Sequence, residues 1–62
     1  MNNRLKAARE AAGKTQAQLA KEADISTRVY QAYEYGQNRP SVDTALRLAC
    51  ALKKSVEELF QL

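Results

Sequence analysis

Apolar residues recur at intervals of three and four along most of the chain, the period of a helix with one buried side. In "NRLKAAREAAG" Leu5, Ala8 and Ala12 share a face, and Gly13 closes the segment as a residue suited to a left-handed helix end. "TQAQLAKEA" presents Leu19, Ala20 and Ala23; Thr15 opens it, with Gln18 three residues on at capping-box spacing. "STRVYQAYEYG" has Ser26 as its cap, puts Tyr30 and Tyr33 on one side, and stops at Gly36. The pattern breaks at "QNRPS", because Pro40 has no N–H to donate and restricts the residue before it. "SVDTALRLACALKK", capped by Ser41, then places Val42, Ala45, Leu46, Ala49 and Leu52 at helical spacing. "SVEELFQL" pairs Ser55 with Glu58 as a second capping box and turns Val56, Leu59 and Phe60 inward. Strand-like alternation is nearly absent. The pattern predicts an all-α bundle of five short helices forming one domain over 1–62.

A core can be assembled from Leu5, Leu19, Ile25, Val29, Val42, Leu46, Leu48, Leu52, Val56, Leu59 and Phe60, with the tyrosines added. Each large side chain buried contributes roughly 1.5–3 kcal/mol, against a chain entropy of similar total size. A chain of 62 residues lies near the lower limit for folding without disulfides or metal. Net stability is therefore modest, and pairing with a second copy would add to it.

Composition narrows the chemistry. The lone Cys50 cannot form an internal disulfide, and with no histidine there is no metal-ligand cluster of the usual kind. No apolar run approaches a membrane span, and "MNNRLKAARE" has no signal-peptide hydrophobic segment, so a soluble, cytoplasmic protein is expected. The net charge of +3 is unevenly spread: seven Lys/Arg against four Asp/Glu up to Arg39, and three against three beyond it. A basic half suits a polyanionic partner, though the charge alone does not identify one. Nucleophile–base pairs and phosphate loops are absent, which argues against an enzyme, and no cofactor or small-molecule ligand is indicated. Glu57 and Glu58 fit helix capping and dipole compensation better than catalysis, Lys53 and Lys54 a solvated corner, and Cys50 a small hydrophobe at the core's edge.

The second and third segments are joined by only "ADIS". Leu19, Ala23, Ile25, Tyr30 and Tyr33 are spaced so that two helices can pack at a large angle about a shared core. Ala20 allows close approach, Ile25 plugs the corner, and Asp24 occupies a turn position where positive φ is often required. That geometry is a helix-turn-helix unit. Opposite Tyr30 and Tyr33, at 100° per residue, lie Arg28, Gln31, Ala32 and Tyr35, with Thr27 in the first turn. A guanidinium can bond guanine O6 and N7, an amide adenine N6 and N7, and a threonine a base edge or a thymine methyl.

The ordered signatures "TQAQLA", "EYGQNRPS", "LRLACAL" and "SVEELF" resemble the Cro and phage-repressor (XRE) class of helix-turn-helix DNA-binding domains, from Leu5 to Phe60. Asp24 stands where that family usually has glycine, Tyr30 where valine or isoleucine is usual, and Tyr35 where arginine or asparagine is frequent. The resemblance implies a five-helix, lambda-repressor-like fold and a sequence-specific regulator of transcription, a repressor occupying a double-stranded DNA operator through helix three. It implies that Gln16 meets a phosphate, that Thr27, Arg28 and Ala32 approach base edges with Gln31 nearby, and that Gln37, Asn38 and Arg39 contact the backbone. Tyr35 completes the expected DNA-facing set. It also implies a structural ion pair between Arg9 and Glu34. Such domains commonly act as homodimers, and the apolar residues near the chain end, Leu59, Phe60 and Leu62, are the expected dimer surface. The rival expectation keeps the fold but binds another protein, as an antitoxin or accessory subunit does.

Overall fold

The helical period seen in the sequence becomes five helices in the computed structural model, which describes residues 4–60. They are α1 (Leu5–Ala11), α2 (Gln16–Glu22), α3 (Thr27–Glu34), α4 (Val42–Leu52) and α5 (Val56–Leu59). Four begin where a hydroxyl caps them. Thr15, Ser26, Ser41 and Ser55 accept hydrogen bonds from the backbone N–H of Gln18, Val29, Thr44 and Glu58, each at 3.1–3.2 Å. At Thr15 and Ser55 the box closes, because Gln18 and Glu58 reach back to the cap's own N–H.

Four helices also end the same way. After α2 the backbone N–H of Ile25 donates to the Ala20 carbonyl and that of Asp24 to Lys21, a paired closure that forces the intervening residue left-handed. The same pair of bonds closes α1 around Gly13, α3 around Gly36 and α4 around Lys53. All four residues have positive φ: 71° at Gly13, 61° at Asp24, 77° at Gly36 and 56° at Lys53. Three of these ends were marked in the sequence. Lys53 was not, because a lysine gives no local sign of a left-handed bend; it takes that conformation within the paired closure to the Cys50 and Ala49 carbonyls.

The core is formed by Leu5, Leu19, Tyr30, Leu48, Leu52, Leu59 and Phe60, with Ala20, Ala23, Ala45 and Ala49 between them. Ile25, Tyr33 and Val56 pack against its edge. Two predicted members of α4 are outside it: Val42 is 75% exposed and Leu46 54%. The helix buries Ala45, Leu48, Ala49 and Leu52, so its inner stripe lies to one side of the one the spacing suggested. Both stripes satisfy the i, i+3, i+4 rule, and only contact with α2 and α5 chooses between them. Val29 is likewise exposed rather than buried, and so is Cys50, which is not at the core's edge. Ala12 lies past the end of α1 and is exposed. The chain ends of the described region are tied together where the Arg4 N–H donates to the Leu59 carbonyl at 2.8 Å.

Candidate nucleic-acid interface

The joint between α2 and α3 follows from small residues at close approach. Ala20 and Ala23 are buried, Ile25 covers the corner, and Ser26 starts α3 at once. Tyr30, fully buried, anchors α3 to the core. With that side fixed, Arg28 and Tyr35 are exposed on the outer side of α3, Tyr35 at 64%. Thr27, Gln31 and Ala32 are half-buried along it. Among the described residues Arg28 has no ion-pair partner, so its charge remains unneutralised by the fold. Gln37, Asn38 and Arg39 lie exposed in the loop that follows. Their segment leaves α3 through bonds from the N–H groups of Gln37 and Asn38 to the Ala32 carbonyl, at 2.9 and 3.4 Å.

Other basic groups near this surface are spent within the fold. Lys14 Nζ meets both Glu22 carboxylate oxygens at 2.6 and 2.8 Å. The Arg9 guanidinium donates from Nε to Glu34 Oε2 at 3.1 Å and from Nη2 to Oε1 at 3.4 Å, while Nη1 reaches the Lys14 carbonyl at 3.0 Å. The predicted ion pair is therefore present, linking α1 to α3. It is well covered, with 12% of the Arg9 side chain and 2% of the Glu34 side chain exposed. Burial pushes the Glu34 carboxyl pKa up, but hydrogen bonding from Arg9 foremost, with the adjacent Tyr30 hydroxyl, hydrogen bonding from Gln16 and the Arg9 charge, outweighs it and holds the group below its ordinary 4.5. Hydrogen bonding to Glu34 raises the Arg9 pKa in turn. Desolvation, then the nearby carboxylate, raises that of Tyr30, whose buried hydroxyl lies by the pair without a hydrogen bond of good geometry.

Gln16 occupies the first position of α2, where backbone N–H groups and the helix dipole favour an anion. Its side chain is not simply displayed to solvent. Gln16 Nε2 donates to Glu34 Oε1 at 3.1 Å, and Gln16 Oε1 accepts from Gln31 Nε2 at 3.1 Å. This link between two candidate DNA contacts was not legible in the sequence, since the residues are 15 apart and their meeting depends on the α2–α3 angle.

The expected dimer residues need correction. Leu59 and the bulk of Phe60 are buried in the chain's own core, and only an edge of Phe60 reaches the surface; Leu62 lies outside the described residues. Away from Val29 and Tyr35 on α3, the exposed large apolar side chains among the described residues are Val42 and Leu46, beside an open groove of about 460 Å³ lined by Arg39, Pro40, Val42, Ala45, Leu46, Val56, Glu57 and one edge of Phe60. Among the described residues no grouping of His, Cys, Asp or Glu could hold a metal ion, and no helix is long and apolar enough to cross a membrane.

Comparison with known proteins agrees with this architecture. Residues 5–59 match the Helix-turn-helix family. Over 59 residues the chain is 41% identical to the cryptic phage CTXphi transcriptional repressor RstR of Vibrio cholerae, an alignment covering 95% of this chain and 53% of that protein. The chain thus spans about half the length of the curated relative it matches. Among solved structures, the restriction-modification controller protein C.AhdI from Aeromonas hydrophila superposes with a TM-score of 0.84 at 35% identity, over 92% of this chain and 86% of that one. A chain of the SinR–SinI protein complex superposes with a TM-score of 0.85 over 94% and 57%; at 24% identity it shows the shared fold alone.

Proposed function

Since the chain belongs to the helix-turn-helix family, we propose that it is a sequence-specific, double-stranded DNA-binding regulator of transcription, a repressor that acts by occupying its operator. The observation that carries this reading is the outer side of α3, where Arg28 stands exposed and unpaired among the described residues while Tyr30 locks the opposite side into the core. An α-helix so mounted fits the major groove, and the 41%-identical relative is a phage transcriptional repressor. On this reading Thr27, Arg28, Gln31 and Ala32 face base edges with Tyr35 beside them, while Gln16, Gln37, Asn38 and Arg39 hold the sugar–phosphate backbone. Backbone contacts set register and base contacts set sequence. The role is non-enzymatic and cytoplasmic.

The working form on this reading is a homodimer on an inverted repeat, with half-sites about 34 Å apart. The groove at Val42 and Leu46 supports it. Arg39 and Glu57 both line that groove, so a two-fold pairing can set each against its opposite charge on the other copy.

Selection from random duplex DNA followed by titration of Arg28→Ala tests the proposal. The variant should lose about 1–3 kcal/mol of specific affinity and relax sequence choice at one base pair. Unchanged specific affinity would remove α3 as the reading element and leave the face to a protein partner.

A further inference from the structure

Four side chains form a continuous relay beneath the outer side of α3: Gln31 donates to Gln16, Gln16 donates to Glu34, and Arg9 donates to Glu34 from the far side. The direction of donation matters. A glutamine amide has nearly the same shape either way round, so on an open surface it can offer its oxygen or its nitrogen. An ionised carboxylate only accepts. Glu34, almost fully covered, therefore requires the Gln16 nitrogen; the reverse orientation would set oxygen against oxygen at 3.1 Å. The Gln16 oxygen must then face Gln31, and it takes one Gln31 N–H at 3.1 Å. What remains on Gln31 is its carbonyl oxygen and its second N–H, in a fixed order.

That remainder has a defined complement. Adenine presents an N6–H donor beside the N7 acceptor, matching the free oxygen and the free N–H. Guanine presents two acceptors, O6 and N7, and sets its O6 against the Gln31 oxygen. We propose that Glu34, acting through Gln16, fixes the donor–acceptor orientation of the Gln31 amide and so makes this chain prefer adenine to guanine at the base met by Gln31. Glu34 is a positioning residue in this scheme and does not touch DNA. The inference rests on the reading of α3 as the base-reading helix. Arg9 completes the device, since its two bonds to Glu34 keep the carboxylate ionised at neutral pH.

The test is selection from random duplex DNA with four proteins: the unmodified chain, Gln31→Ala, Glu34→Gln and Gln16→Leu. Gln31→Ala identifies the base pair, by erasing preference there. At that same pair, Glu34→Gln and Gln16→Leu should each reduce an adenine-over-guanine preference of about tenfold or more to less than about threefold, with preferences elsewhere in the site retained. In the Gln31→Ala background neither change should alter that pair further. Gln16→Leu leaves the Arg9–Glu34 pair intact, so it reads the relay even where Glu34→Gln unfolds the chain. Variants that weaken every sequence alike, with adenine still preferred, overturn the inference alone. An unmodified chain that selects no sequence overturns the functional reading and this inference together.

Discussion

Replacing Arg9 by methionine keeps much of the side chain's apolar stem and removes only its charge and donors. Glu34 then stays buried with one hydrogen bond, from Gln16. A buried carboxylate without a cation escapes its predicament by taking a proton, and the cost of that proton sets a ceiling on the electrostatic damage. With an ordinary pKa of 4.5, neutralisation at pH 7 spans about 2.5 pH units at about 1.36 kcal/mol each, or about 3.4 kcal/mol. This falls at the lower end of the roughly 3–5 kcal/mol found when one partner of a buried pair is removed. A domain of 62 residues has only about 3–9 kcal/mol of stability in total. Arg9→Met should therefore cost about 3 kcal/mol at pH 7 and lower Tm by about 12–24 °C. The loss should shrink toward 1 kcal/mol or less near pH 4.5, where protonation is nearly free. The sign for the unmodified chain runs the other way. Because its folded pKa is depressed, the Glu34 contribution is fully present above 4.5 and is lost as pH falls through the folded value. Urea denaturation of both proteins between pH 4 and pH 8 measures the difference. A gap that stays constant across that range, or one below about 0.5 kcal/mol at pH 7, would refute the argument.

Further outcomes follow from other parts of the fold. Asp24→Gly should raise stability by about 0.5–1 kcal/mol in denaturant, because φ is 61° there and the Asp24–Arg47 pair it removes is a 3.8 Å surface contact worth little; destabilisation would show that this pair matters more than the backbone. Ser41→Ala removes the cap that accepts from the Thr44 N–H and should cost about 1 kcal/mol by thermal unfolding. Leu46→Asp changes a half-exposed side chain and should leave the Tm of the monomer nearly unchanged, while sedimentation shows loss of a concentration-dependent dimer; an unaltered dimer moves the interface elsewhere. Arg39→Ala should weaken all DNA sequences alike and reduce the slope of log affinity against log salt by about one, whereas a loss confined to one sequence would make Arg39 a base reader.

Element order, the four hydroxyl caps and three of the four left-handed helix ends are encoded locally, in residues a few positions apart, and could be read without coordinates. The pairing of Arg9 with Glu34 was expected only through resemblance to a family; across 25 residues no local rule brings them together. Which side of α4 turns inward was ambiguous, because Val42–Ala45–Leu46–Ala49 and Ala45–Leu48–Ala49–Leu52 are both acceptable stripes. Tertiary contact chose the second and left Val42 and Leu46 outside. Leu59 and Phe60 were expected both to face the core and to meet a second copy, and packing leaves their bulk with the core. The Gln31–Gln16–Glu34 relay belongs wholly to the tertiary structure. Hydrogen-bond direction depends on distances of a few ångströms between helices, and those are set by the angle at which Ala20 and Ala23 let α3 cross α2.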